Sequence, residues 1–266
     1  MTRIRFDGIP APSQLMRYTP STGDFELAFP TDFGLNGLAV RIDGALIGAS
    51  HGIGALVEID TDTGMATTLV SDSAQRFNSP NDLSLKADEN IYFTDPDFQA
   101  PPDLVRDTAA YRVSPDGIVE MIAGTGPADI TQPNGISLSP AEDRLYIAHQ
   151  NGVKSVDLAA DGSVVDGSIS DFGPPGLEVV DGLAIDCAGN VYVTLFTIGE
   201  VRVIAPSGDL LGTIELRRNG VVIDGSLTNA AFGGADNQTL FLTAGDDPSN
   251  EHILFSVDLP VPGLPY

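Results

Sequence analysis

The chain has 266 residues, 42% of them hydrophobic and only 19% charged, a globular balance that sets aside a disordered polymer. Its formal net charge of −24, from 37 acidic against 13 basic residues, excludes nucleic acid and anionic membranes as partners, because affinity for phosphates rests on Lys and Arg displacing counterions. Cys187 is the only cysteine, so no intrachain disulfide is available and a reducing compartment fits.

No stretch approaches the roughly 20 apolar residues of a membrane span, and Met1-Thr-Arg-Ile-Arg-Phe-Asp-Gly8 has no apolar run of signal-peptide length. The expectation is a soluble, cytoplasmic protein, which a further N-terminal segment would change.

Taken in chain order, the first strands are Ile4–Phe6, Gln14–Tyr18 and Phe25–Phe29, with a turn at Ser21-Thr-Gly23. From there one unit repeats. Asn36-Gly-Leu-Ala-Val, Asn81-Asp-Leu-Ser-Leu, Asn134-Gly-Ile-Ser-Leu, Asp181-Gly-Leu-Ala-Ile and Asn229-Ala-Ala-Phe-Gly open successive units at steps of 45, 53, 47 and 48 residues. Each opens with a side-chain oxygen and continues into an apolar run. Turns at Asp43-Gly44, Asp88-Glu-Asn90, Ser139–Asp143 and Ala235-Asp-Asn237 lead to second strands at Ala45–Ala49, Ile91–Thr94, Arg144–Ala148 and Thr239–Thr243. Late turns at Asp60–Gly64, Ser114–Gly117 and Ala160-Asp-Gly162 precede the outermost strands.

The fourth unit is clearest, with strands at Leu183–Asp186, Val191–Leu195, Glu200–Ile204 and Leu210–Leu216. Two-residue alternation broken by turns argues for strands rather than helices. A period of about 40 to 50 residues is the mark of a radial array. The expectation is one all-β domain over residues 1–266: a six-bladed β-propeller of four-stranded antiparallel blades, its first and last blades incomplete at the N-terminal seam.

In a propeller the first strand of each blade lines the central channel, so equivalent residues in successive repeats form a ring at its mouth. Asn36, Asn81, Asn134, Asp181 and Asn229 would then converge. Singly, each also fits as turn chemistry, since Asn-Gly and Asp-Gly are turn signals. Amide and carboxylate oxygens without thiolate or imidazole suit one hard divalent cation, Ca²⁺ first, with Mg²⁺, Mn²⁺, Zn²⁺ or Fe²⁺ as alternatives. Only Asp181 of the five is charged, so water completes the shell. Such a metal polarises a carbonyl and acidifies a water, and Asp181 is placed to serve as general base.

Several segments resemble the SMP-30/gluconolactonase family, also called the regucalcin family. They are Phe77-Asn-Ser-Pro-Asn-Asp82, Tyr92-Phe-Thr-Asp-Pro96, Gln132-Pro-Asn-Gly-Ile-Ser-Leu-Ser-Pro140, Asp181–Asp186 with Gly189-Asn-Val-Tyr192, and Ala231-Phe-Gly-Gly234 with Thr239–Thr243. The resemblance runs in order from about Phe6 to the last strand. It implies a six-bladed propeller with one catalytic divalent cation at the channel mouth, hydrolysing a small-molecule lactone. By the same resemblance Asn134 and Asp181 match metal ligands, and Asn81 matches the next Asn of the ring, a metal ligand in some relatives and a substrate or water contact in others. Asp181 matches the proton-transfer acid, Asp82 the acid that faces the substrate, and Asn36 a pocket-lining position.

The family's first ligand, a Glu in a Glu-Gly-Pro motif about a dozen residues before a Phe-Ser-Asp-Ile-Pro type segment, has no counterpart. Phe6-Asp-Gly-Ile-Pro10 resembles that later segment with only five residues before it, and neither Glu26 nor Glu58 has the right context. The expectation is a late start or a divergent N-terminus rather than lost activity.

His51, in Ala49-Ser-His-Gly52, lies where relatives carry a pocket His, which makes it a substrate-binding candidate beside the plainer reading of a packed histidine. Arg76 is a second substrate-binding candidate, from the loop before Asn81, with a surface role as the plainer reading. His149 is placed at the matching strand end two blades later. His252 is placed in the acidic loop Asp246–Glu251, and Cys187 in a turn without a nucleophilic role. Two other functions compete with the lactonase: a propeller phosphotriesterase or esterase using the same metal, and a non-enzymatic Ca²⁺-binding interaction protein.

Overall fold

A computed structural model describes residues 2–4, 13–31, 33–72, 76–100, 106–124, 130–218, 221–222, 226–246 and 251–264. Every regular element among them is a β-strand, and no helix there is long and apolar enough to cross a membrane. The chain packs as two compact units, Met1–Pro133 and Asn134–Pro265.

In the first unit, β1 (Thr2–Ile4), β2 (Ser13–Thr19) and β3 (Asp24–Thr31) make a three-stranded sheet. Two four-stranded sheets follow. One is β4 (Leu35–Val40), β5 (Leu46–Ser50), β6 (Ala55–Ile59) and β7 (Ala66–Val70); the other is β8 (Leu83–Leu85), β9 (Ile91–Asp95), β10 (Ala109–Val113) and β11 (Val119–Gly124).

The second unit continues with β12 (Ile136–Leu138), β13 (Arg144–His149), β14 (Gly152–Asp157) and β15 (Ser170–Phe172). Then come β16 (Val180–Ile185), β17 (Val191–Leu195), β18 (Glu200–Ile204) and β19 (Leu210–Glu215). A two-stranded ribbon, β20 (Arg217–Arg218) and β21 (Val221–Val222), precedes the last sheet of β22 (Ser226–Gly233), β23 (Thr239–Asp246) and β24 (Glu251–Asp258). Every pairing is antiparallel between strands consecutive in sequence, and the fold is an all-β propeller of antiparallel blades.

The expectation of six blades is met only in part. Among the described residues four sheets have all four strands, while the sheets at the two ends of the chain have three, the incompleteness expected of the first and last blades, so six whole blades are not formed. The ribbon β20–β21 was not expected. β15 is only three residues long, because two turns and a Leu158–Val164 bridge occupy the chain after β14.

Both faces of a blade are covered, and β17 shows how the sequence arranges it. Val191, Val193 and Leu195 join one apolar cluster with Tyr146, Phe172 and Ile204, while Tyr192 between them joins another with Phe232, Leu240 and Leu242. Alternate side chains leave opposite faces of a strand, so one run feeds two interfaces. Tyr192 meets Phe232 edge to face at 5.2 Å and 83°. In the first unit Phe77, Phe93 and Tyr111 stack with Ile47 and Leu56, Phe77 and Phe93 crossing at 4.8 Å and 81°.

After β24 the chain returns to earlier turns of its unit. Gly263 N donates to Asn237 O, and Cys187 donates its N–H to Pro262 O at 2.8 Å and its thiol to Gly263 O at 3.0 Å. The Cys187 thiol is thus engaged with the returning segment.

Candidate functional site

The recurring Asx residues sit at a shared irregularity, and it is not a turn. In each inner strand two consecutive residues oppose one residue of the second strand, which is a β-bulge. Asn81 N donates to Thr94 O at 2.9 Å while Thr94 N donates to Asp82 O at 3.0 Å. Likewise Asn134 N donates to Ala148 O, and Ala148 N to Gly135 O, both at 2.8 Å. In β4 the register jumps between Leu35 and Leu38, in β16 between Val180 and Leu183, and in β22 between Leu227 and Asn229. Hydroxyls of the second strand fasten these bulges: Thr194 Oγ1 donates to Gly182 O at 3.0 Å, and Thr94 Oγ1 accepts from Asp82 N at 3.1 Å.

The residue after the Asx explains the glycines. Gly37, Gly135 and Gly182 do not have positive φ, so turn conformation is not their reason. Neighbouring inner strands meet at them. Gly37 N donates to Asn81 O at 2.6 Å, and a β-carbon there would lie 2.6 Å from that oxygen and 2.7 Å from Cα of Asp82. Gly135 N donates to Asp181 O at 3.0 Å, and its β-carbon would lie 2.6 Å from the same oxygen. At Gly182 the space is taken by the Asn229 side chain. Glycine is the residue that allows such backbone approach.

The structure therefore brings Asn36 to Asn81 and Asp82 in the first unit, and Asn134 to Asp181 in the second. Asn229 is a register correction. Thr228 and Asn229 together oppose Thr243, so Thr228 takes the place of the Asx residues and Asn229 the place of Asp82 and the glycines. The Asn229 Oδ1 accepts from Ala230 N at 2.8 Å. Counted to Thr228, the last step of the repeat becomes 47 residues, the same as the step before it.

Other candidates are also reassigned. His51 follows β5 and is fully buried, with no partner for either ring nitrogen. Arg76 is half-buried, and its Nε donates to Phe77 O and its Nη2 to His51 O, both at 3.1 Å. Its donors hold the backbone around His51. His149 does not match His51: it lies one residue past the one opposite its bulge, whereas His51 lies two past. His252 lies within β24, paired with Gly245, rather than in a loop. Glu26 on β3 faces Arg17 at 3.8 Å, and Glu58 on β6 faces Arg41 at 3.0 Å.

Asp95 is a residue that sequence reasoning missed. It is fully buried at the end of β9, and its carboxylate accepts from Asn78 N at 2.9 Å and Ser79 N at 2.8 Å, which fixes the segment leading to Asn81. Burial pushes its pKa up to about 7, against the opposing pull of those two N–H groups and of Arg106 and Arg76. The signal available was its place in Tyr92-Phe-Thr-Asp-Pro96. Val179 was also unremarked: it is β-branched yet has φ +52°, a conformation that costs about 1 to 3 kcal/mol and gathers at functional sites.

Burial moves His51 in the opposite sense, pulling its pKa down to about 4. The linkage signs differ accordingly. Between an ordinary Asp pKa of 3.8 and about 7 the folded chain holds a proton at Asp95 that the unfolded chain has released, so this group's contribution falls as pH rises. Between about 4 and 6.5 the unfolded chain holds a proton that folded His51 refuses, so its contribution rises with pH. The two slopes, each up to about 1.4 kcal/mol per pH unit, oppose one another where the windows overlap. Urea melts at pH 4.5, 5.5 and 6.5 should show His51→Leu losing stability relative to the parent as pH rises and Asp95→Asn gaining it. Parallel profiles for all three proteins would refute both assignments.

The donor chemistry fits a hard divalent cation, since Asn134 and Asp181 are oxygen donors on adjoining inner strands. Among the described residues no group of three or more His, Cys, Asp or Glu is placed to hold a metal, so amide oxygens and water must carry most of such a shell.

With a propeller of antiparallel blades and Asn and Asp at the bulges of its inner strands established, comparison gives the family. The family model described as the SMP-30/Gluconolactonase/LRE-like region matches residues 9–246, and the chain belongs to that family. A gluconolactonase of Zymomonas mobilis is 30% identical over 228 residues, covering 79% of this chain. The match spans only 61% of that relative's length. A gluconolactonase of Xanthomonas campestris is 28% identical, with a TM-score of 0.76 over 94% of this chain and 82% of the other. Regucalcin of Agrobacterium tumefaciens, a calcium-binding protein, shares the fold at 22% identity and TM-score 0.76, covering 95% and 87% of the two chains.

Proposed function

We propose that the protein is a metal-dependent hydrolase that opens the ring of a small lactone. The observation that carries this reading is the pairing of Asn134 and Asp181 at adjoining bulges, linked by Gly135 N to Asp181 O at 3.0 Å, in a chain of the gluconolactonase-containing family. Asn134 and Asp181 hold one divalent cation, Ca²⁺ in first place. Bound there, the cation polarises the ring carbonyl and lowers the pKa of a water.

Asp181 takes the proton of the attacking water as its oxygen bonds to the carbonyl carbon. It returns that proton to the ring oxygen as the carbon–oxygen bond breaks, leaving a hydroxy acid. Asp82 and Asn36 orient the substrate. His51, neutral across the physiological range and with both nitrogens unpartnered, offers it a hydrogen bond, and Arg76 supports His51 through the backbone. The proposed location is the cytoplasm, and the proposed partner is the lactone alone.

The test is turnover of glucono-δ-lactone by the full chain after chelation and after return of Ca²⁺, followed by pH-stat at neutral pH. Loss of at least 100-fold on chelation and recovery with Ca²⁺ is expected. Thermal stabilisation by Ca²⁺ without turnover of any lactone would favour a binding module instead, and metal-dependent hydrolysis of phosphotriesters alone would favour that chemistry.

A further inference from the structure

The lactonase reading leaves the substituent on the ring open, and the surroundings of Asp181 bear on it. Three large apolar side chains remain exposed at the Asp181 end of its blade: Val179 at 38%, Phe196 at 38% and Ile198 at 41%. They are neighbours. Phe196 N donates to Val179 O at 3.1 Å, and Ile198 belongs to the same four-residue turn, 196–199, between β17 and β18.

The backbone of this rim is held rather than loose. Val179 N donates to Gln150 O at 2.9 Å, so its amide and carbonyl are both engaged, and its φ of +52° is kept against the preference of a β-branched residue. At the other side of the turn Leu216 N donates to Gly199 O at 3.1 Å. Phe196 occupies, in its own blade, the register place that His51 occupies in the blade of β4–β7: two residues past the one that opposes the bulge. An apolar ring thus stands where another repeat puts a buried imidazole.

We propose that the lactone carries an apolar, alkyl-type substituent, which lies on Val179, Phe196 and Ile198 while the ring carbonyl is handled beside Asp181. This rests on the lactonase reading. Each hydroxyl of a polyhydroxylated lactone needs a hydrogen-bonding partner to replace water, and Val, Phe and Ile supply none. An alkyl chain covers the exposed apolar surface and leaves water itself, which favours binding by roughly threefold to fourfold per methylene. Contiguous exposed apolar surface beside polar groups is the usual form of a ligand groove.

The experiment compares δ-valerolactone, δ-hexalactone, δ-octalactone, δ-decalactone and glucono-δ-lactone on the full chain with Ca²⁺, in the parent and in Phe196→Ala and Ile198→Ala. Their folding is checked by thermal melts. In the parent, kcat/KM should rise about threefold per methylene, mostly through KM, with δ-decalactone well ahead of glucono-δ-lactone. In the two variants the dependence on chain length should flatten.

A flat series in the parent, or variants that keep its slope, would overturn the inference while leaving the lactonase reading intact. Binding of 2-alkylcyclopentanones, which cannot be hydrolysed, separates the two in the other direction. Affinity that rises with chain length in the parent and not in Phe196→Ala, without turnover of any lactone, would keep the apolar rim and remove the hydrolase. Absence of both chain-dependent turnover and chain-dependent binding removes the rim.

Discussion

Asp181→Asn should lower kcat/KM for lactone hydrolysis on the order of 10³-fold, in the middle of the range for loss of a positioned general base. The amide keeps an oxygen at the same place and nearly the same volume, so donor count and packing are preserved while the proton acceptor is removed. The bulge itself is held by groups other than the Asp181 side chain: Gly135 N donates to Asp181 O, and Thr194 Oγ1 to Gly182 O. None of these is altered, so the melting temperature should stay within a few degrees of the parent. Residual activity within tenfold of the parent would remove Asp181 from the proton-transfer role. Asn134→Ala is the useful companion, because it should weaken Ca²⁺ dependence without removing a base.

The strands were legible because both the alternation and the turns that break it are local. β17 and β18 occupy the expected Val191–Leu195 and Glu200–Ile204, bounded by Ala188-Gly-Asn190 and Pro206-Ser-Gly208. The leading oxygens were legible as a period, but their geometry was not. A bulge is defined by what the partner strand does, and a slip of one residue moves a side chain to the other face. That is why the period alone points to Asn229 in place of Thr228, and aligns His149 with His51. Asp95 escaped for a related reason. Its chemistry comes from burial and from two amides 16 and 17 residues earlier in the chain, neither of which is visible in the segment around it. The acidic and turn-forming residues before His252 read as a loop, yet pairing with β23 starts the strand at Glu251.

Gly135→Ala should cost about 3 kcal/mol or more of stability, against about 1 kcal/mol for Gly117→Ala. Position alone suggests the reverse. Gly117 has φ +79°, which an L-residue resists, whereas Gly135 is not among the glycines with positive φ. Space decides the matter. Around Gly117 an added β-carbon meets nothing within 4 Å, so the cost is the backbone preference alone. At Gly135 it would lie 2.6 Å from Asp181 O, 2.8 Å from Gly182 Cα and 2.9 Å from Leu183 N, and all three are main-chain atoms that no rotamer change can move. Relief requires β12 and β16 to separate, which breaks the Gly135 N to Asp181 O bond and leaves buried groups unpaired. Because that bond also sets Asn134 beside Asp181, the surviving folded fraction of Gly135→Ala should lose lactone turnover and Ca²⁺ response together, whereas Gly117→Ala should keep both. Urea melts and a Ca²⁺ titration on the two variants suffice. Equal stability for them would mean that the inner strands do not meet at this glycine, and the pairing of Asn134 with Asp181 would lose its physical basis.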